Sequence, residues 1–345
     1  MSIKLKDQTI VAENEKSVGP NAGSWQSILK SAYRDPADVC QALELPPDLA
    51  LKTEVGQQAF RLFCPEPFLQ KMQVGDRRDP LFLQIWPSEK EADVAGQPLD
   101  VLNESTFEVT PGLIQKYDKR SLMISTGACA IHCRYCFRRN FPYQEAPKSA
   151  LAWEPAFQKL EGDPTIEEVI LSGGDPWTLT DQFLSQLLDR IESIPAIRRV
   201  RVHTRLPIVI PQRVTQGLCE IFRDRSFASI IVVHSNHPNE IGPDVEASLQ
   251  ELGRNGFLLL NQSVLLRGVN DHPDVLLALS KKLVAAGVTP YYLHQLDPIA
   301  GVRHFEVSIE EGRRIVDAMR KSESGYLVPR YVQERPGADS KTLLS

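Results

Sequence analysis

The sequence predicts an α/β fold assembled from parallel β/α units, and three observations carry that prediction. First, 345 residues with 42% hydrophobic content can bury a large core, enough for one big α/β domain or two smaller ones. Second, from Ser121 onward short runs rich in β-branched and apolar residues recur roughly every 30 residues. Third, the stretches between these runs carry apolar positions at helical spacing, so strand and helix alternate as they do around a parallel sheet.

Residues 1–110 read as a mainly helical region. "SWQSILKSAYRD" and "PADVCQALEL" hold short helical patterns, broken by Pro-rich stretches such as "CPEPF". The core, residues 111–307, contains six candidate strands: "SLMIST" from Ser121, "EEVILSG" from Glu167, "RRVRVHT" from Arg198, "ASIIVVH" from Ala228, "GFLLLNQ" from Gly256 and "TPYYLHQ" from Thr289. The helix in "TLTDQFLSQLLDRIESI" opens on a Thr178-x-x-Asp181 capping pattern. Residues 308–345 form a C-terminal helix and tail, in which "SIEEGRRIVDAMRKSESG" pairs Ser308 with Glu311 and ends at Gly325. Six units fit a partial barrel or an open doubly wound sheet. In either, the chemistry belongs at the C-terminal ends of the strands.

Charge and composition exclude several functions. A net charge of -5 and a pI near 5.9 give no global basic field for a phosphate backbone, so nucleic acid is not the expected partner. The start, "MSIKLKDQTIVAENEKSVGP", is polar, and no run approaches the length of a membrane span, which points to a cytoplasmic protein with no membrane partner. Six cysteines are too few for a disulfide scaffold. Cys40, Cys64 and Cys219 stand alone and read as buried small apolar residues.

The other three lie in "STGACAIHCRYCFRRNF", where Cys129, Cys133 and Cys136 form C-x3-C-x2-C just after the first core strand. Thiolates select zinc, copper(I) or iron–sulfur centres. A closed zinc site needs a fourth ligand, from His132 or distant Cys219. A 4Fe-4S cluster on three cysteines leaves one iron open. After the second strand, "LSGGDP" sets Gly173 and Gly174 beside Asp175, two glycines that let the backbone approach a ligand and an acid that can meet an ammonium. Taken alone, it is also an ordinary turn.

C-x3-C-x2-C with Tyr135 before the third cysteine resembles the signature of the radical S-adenosylmethionine (SAM) enzymes. "CRYCFRRNFPY", "ILSGGDP", "HTRLPIVIPQRV", "HSNHPNE", "NQSVLLRGVNDH" and "SGYLVPRYV" together resemble the lysine 2,3-aminomutase family, from about residue 105 to the C-terminus. Within that family the compact length is most similar to the enzymes that make β-lysine for elongation factor P. The resemblance implies a radical SAM partial (β/α)6 barrel with an N-terminal helical region and a C-terminal segment that binds pyridoxal 5'-phosphate (PLP). It also implies an isomerase that uses a 4Fe-4S cluster, SAM and PLP to convert L-lysine to β-lysine.

The same resemblance implies residue roles. Cys129, Cys133 and Cys136 would hold the cluster; Gly173, Gly174, Asp175, His234 and Gln262 would contact SAM. Lys341 would carry PLP, although Gly337, Ala338 and Asp339 replace the family's run of consecutive glycines. Lys116, Tyr117 and Arg120 would hold the PLP phosphate, with a lysine at 116 where close relatives use arginine. Arg138 would clamp the substrate carboxylate. Asp297 and Glu334 would receive the lysine ε-ammonium, the glutamate standing where the family commonly has aspartate. Two acids argue against a glutamate-type substrate, whose carboxylate they would repel. A reductant such as flavodoxin or ferredoxin is implied, as is a functional link to elongation factor P and its lysyl ligase. Relatives with an intersubunit zinc hold it partly on C-terminal cysteines; here no cysteine follows Cys219 and His272 stands where they have one ligand, so no structural zinc is expected. The alternative reading is a radical SAM enzyme acting on another amino acid, a peptide or RNA.

Overall fold

The computed structural model describes residues 23–94 and 96–345. The polar stretch of residues 1–22, read above for a targeting signal, lies outside them. Among the described residues ten strands form one sheet in chain order. They are β1 (Glu108–Thr110), β2 (Leu113–Tyr117), β3 (Arg120–Thr126), β4 (Glu168–Gly173), β5 (Arg199–Thr204), β6 (Ala228–His234), β7 (Leu258–Val264), β8 (Thr289–His294), β9 (Arg330–Gln333) and β10 (Thr342–Leu343).

The six strands expected from the sequence are β3 to β8, all mutually parallel. A seventh, β9, pairs parallel with β8. Its four residues are too few to show a pattern beside the C-terminal motif, and the short antiparallel strands β1, β2 and β10 likewise gave no signal.

Side chains alternate across the strands, and the two faces have different neighbours. Val169, Leu171, Val200, Val202, Ile231 and Val233 share a buried apolar cluster with the crossover helices, for example with Leu184, Leu187, Leu188 and Ile191 of the helix Asp181–Glu192. The opposite positions, Ile170, Ser172, Arg201, His203, Ile230 and Leu260, face one common cavity. A doubly wound sheet would have helices on both faces; here one face wraps a cavity, so the sheet is a partial barrel. It stays open because β1 and β10 end the order without pairing.

Six short α-helices between Trp25 and Leu83 precede the barrel, and their apolar residues, among them Trp25, Val39, Phe68 and Phe82, join the same cluster. Two capping expectations resolve differently. Ser308 caps the helix Ile309–Ser322 by accepting from the Glu311 backbone N–H. The helix Asp181–Glu192 is capped by Thr180, not Thr178. Thr178 instead closes the preceding turn, its hydroxyl donating to the Asp175 carbonyl at 2.7 Å, while Asp181 pairs with Arg213 at 2.7 Å. No helix among the described residues is long and apolar enough to cross a membrane.

Candidate active site

A cavity of about 660 Å³ fills the barrel, and all fifteen residues singled out from the sequence line it. Most stand at or just past strand C-termini: the cysteines after β3, Gly173 ending β4 with Gly174 and Asp175 after it, His234 ending β6, Asp297 after β8 and Glu334 after β9. Lys116 and Tyr117 end β2, and Arg120 begins β3, so the cavity also reaches the opposite end of the barrel.

The cysteine loop is held from three sides. From outside, Arg134 is fully buried and makes a two-point ion pair with Glu91 of the N-terminal region. It also donates to the Gly56 carbonyl at 3.0 Å. From β5, the Arg205 guanidinium donates to Cys133 Sγ at 2.7 Å, to Gln84 Oε1 at 2.7 Å and to Glu240 Oε2 at 3.0 Å. From β4, the Gly174 and Asp175 N–H groups donate to the Thr126 and Ala128 carbonyls, both at 2.7 Å.

That third contact gives Gly173, Gly174 and Asp175 a structural task of their own. Both glycines are required by the cysteine loop: a Cβ on Gly174 would lie 2.2 Å from the Ala128 carbonyl oxygen, and one on Gly173, whose φ is +117°, 2.4 Å from that of Thr126. Asp175 does not hold its carboxylate out to an ammonium. It accepts from the Thr204 hydroxyl at 2.7 Å and from the backbone N–H groups of Arg205 (2.7 Å), Trp177 (3.1 Å) and Leu206 (3.2 Å). Those four donors fill a carboxylate's capacity, so Asp175 ties β4 to β5.

The three thiols share one cavity wall but do not converge as the ligands of a single ion would. Among the described residues no three His, Cys, Asp or Glu side chains are so arranged. Burial and the neighbouring Cys136 push the Cys129 thiol well above its ordinary range, and burial with Cys133 pushes Cys136 up to about 11. Three half-buried cysteine sulfurs on one cavity wall suit an iron–sulfur centre, whose iron charge offsets that of thiolate ligands. The donor set fits that group.

At the other side of the cavity Glu334 accepts from Lys116 Nζ at 2.8 Å and from Lys341 Nζ. Burial raises a carboxyl, but these two ammonium groups hold Glu334 well below the usual range. Asp297 is pushed the other way, up to about 7, by burial and then by the Glu334 charge. Arg120 lies with its guanidinium 4.5 Å from the Tyr117 ring. Arg120 and Arg330 face the cavity without an ion pair among the described residues. A primary amine beside uncommitted arginines suits a phosphorylated aldehyde such as PLP.

Arg138 is buried, and its Nε and one terminal nitrogen donate to the two Glu104 oxygens at 2.8 and 2.7 Å. His234 is neutral, lowered to about 3 by burial and the Arg205 charge, with Nε2 3.4 Å from the Tyr135 hydroxyl. Gln262, its register partner on β7, faces the same space.

Several cavity residues were missed. His203 and His294 line it with Nε2 atoms that have no hydrogen-bond partner among the described residues. Burial keeps both imidazoles neutral, His294 at about 3 and His203 well below its ordinary value. The two-residue strand period would have found them, since each lies two positions past another inward residue, Arg201 or Tyr292. Glu104, Ser172, Arg205 and Arg330 gave no local signal.

No protein-family model matches the chain. It is 42% identical over 321 residues, 93% of this chain and 95% of the relative, to an L-lysine 2,3-aminomutase of Haemophilus influenzae. Identity is also 42% to that of Escherichia coli, over 94% of this chain and 95% of the relative. To that of Clostridium subterminale it is 35%, over 83% and 69%. A radical SAM methyltransferase of known structure from Sphaerobacter thermophilus aligns over 64% of this chain and 68% of its own, at 18% identity and a TM-score of 0.44; no conclusion rests on it. Identity of 42% across nearly the whole length of two curated relatives means that the chain belongs to the L-lysine 2,3-aminomutase family.

Proposed function

We propose that this protein converts L-lysine to β-lysine. The observation that carries the reading is the single cavity lined by Cys129, Cys133 and Cys136, the Lys341 amine, the Arg138 guanidinium and the Asp297 and Glu334 carboxyl groups. When bound, the cluster and SAM supply a hydrogen-abstracting radical and PLP supplies the conjugated system through which an amino group can migrate. The protein's own residues bind, orient and exclude water.

In this account Cys129, Cys133 and Cys136 hold the cluster, while the His234 ring, the Gln262 amide and the Gly173–Gly174 backbone border SAM. Lys341 anchors PLP through its amine, and Lys116, Tyr117 and Arg120, joined by Arg330, border the phosphate. Arg138 takes the lysine carboxylate and Asp297 with Glu334 the ε-ammonium, so the substrate is fixed at both ends and the carbons between them have one placement. A one-electron donor of the flavodoxin or ferredoxin kind reduces the cluster, and β-lysine passes to the modification of elongation factor P.

Asp297 makes the ammonium assignment testable by pH. Its pKa near 7 lies above that of an ordinary carboxyl, so below pH 7 the folded protein keeps a proton there that the unfolded chain has released. That bound proton stabilises the fold by a contribution fully present below about pH 4 and lost progressively as pH rises through 7. Only the ionised form attracts an ammonium. Lysine should therefore bind the cofactor-loaded enzyme roughly tenfold more weakly at pH 6 than at pH 8, and Asp297→Asn should flatten the profile. Titration calorimetry at the two pH values checks this; equal affinities in the wild type would remove Asp297 from the ammonium site.

A further inference from the structure

We infer that Glu104 is a positioning residue for the substrate carboxylate, holding the Arg138 guanidinium by one edge so that its remaining N–H groups meet the ligand. The inference rests on the lysine reading above and adds a residue that the sequence motifs do not contain. Arg138 has five N–H groups. Nε and one terminal nitrogen each give one to Glu104, at 2.8 and 2.7 Å, and the other terminal nitrogen gives one to Ser172 Oγ at 2.9 Å. One N–H is then left on each terminal nitrogen, and the guanidinium lines the cavity. The count separates positioning from competition: a substrate carboxylate can bind without displacing Glu104.

The surroundings lock this arrangement. Glu104 is 8% exposed and Arg138 7%, so neither side chain is free to swing. Glu104 opens the short turn Glu104–Phe107, and its backbone N–H donates to Asp100 Oδ1 at 3.3 Å. Asn103 before it has φ 49° and ψ 41°, a left-handed conformation that asparagine tolerates better than most residues. The Phe137 ring lies 4.8 Å from the guanidinium carbon and backs its flat face. A buried ion pair is a weak source of stability compared with apolar residues of the same shape. Its place on a cavity wall, with two donors to spare, is accounted for by ligand binding.

The test is equilibrium binding of lysine and of lysinamide, which lacks the carboxylate, to the cofactor-loaded wild type, Glu104→Gln, Arg138→Gln and the double variant. Glu104→Gln should weaken lysine by about 10-fold to 100-fold and leave lysinamide within about twofold, and the double variant should match Arg138→Gln. Glu104→Asp keeps the charge with a shorter reach, so it should show the same pattern at smaller amplitude and serves if the glutamine chain does not fold. Unchanged lysine affinity in Glu104→Gln, or an equal loss for both ligands, overturns the inference while the lysine reading stands. A wild type that binds neither ligand overturns both.

Discussion

A Lys341→Ala enzyme is expected to lose β-lysine formation by roughly 10³-fold or more, the scale of removing an essential covalent or proton-transferring group, and to keep its iron and its cleavage of SAM. The expectation depends on how firmly the tail is fixed. Lys341 is the fifth residue from the end of the chain, where a lone lysine is usually solvated, yet the residues that follow it are tied down. Thr342 and Leu343 pair with Gln333 and Val332 of β9. The Leu344 N–H donates to the Tyr331 carbonyl at 2.8 Å, and the Leu344 carbonyl accepts from Arg313 Nε at 2.7 Å. Gly337 alone, at φ 74°, supplies the left-handed residue of the loop, so a run of glycines is not needed to bring the amine to Glu334. Absorption of the bound pyridoxal group, together with a product assay, checks the variant; a Lys341→Ala chain that retains both the band and full turnover would place the reactive amine elsewhere.

Cys133→Ala should fail in the complementary way. Two thiols cannot hold a cluster that three hold with one iron to spare, so iron and sulfide should fall to background and SAM cleavage should drop by about 10³-fold or more, while the pyridoxal band survives. The lost sulfur also accepts from Arg205. Removing it leaves a buried guanidinium short of a partner, with a stability loss of about 1–3 kcal/mol. Iron analysis and the electron paramagnetic resonance of the reduced protein read the first effect, and thermal unfolding the second. If Lys341 and Cys133 serve different groups as proposed, the two variants separate the chemistry's halves: one keeps the cluster without the pyridoxal group, the other the reverse. A Cys133→Ala enzyme that still cleaved SAM at the wild-type rate would contradict the three-thiol assignment.

How much of this was legible in the sequence depended on how local each signal is. Strands β3 to β8 were visible because each is a continuous run of residues that must be buried on one face, whereas β9 and β10, four and two residues long, are defined only by their neighbours. The cysteines were singled out by spacing and chemistry within one loop, and Lys341, Arg138, Asp297 and Glu334 by the family resemblance, and all of them line the one cavity. Glu104 was not, because its partner lies 34 residues away and an isolated glutamate before a turn looks like any solvated acid. Gly173, Gly174 and Asp175 were singled out as a close approach, and only the fold reveals that one approaching group is the 126–128 backbone and that the Asp175 oxygens accept from Thr204 and the Arg205 N–H. Residue chemistry named what the site contains; packing decided which groups are free to act.

The most direct measurement is product analysis of the anaerobically purified wild type, with iron, sulfide and PLP restored and SAM, dithionite and L-lysine supplied. The account requires β-lysine, identified by nuclear magnetic resonance, with SAM consumed far more slowly than product appears, because the aminomutase reaction regenerates it. SAM cleaved in step with time but no β-lysine, from protein whose iron and pyridoxal content is full, would contradict it and leave a radical enzyme that acts on some other substrate.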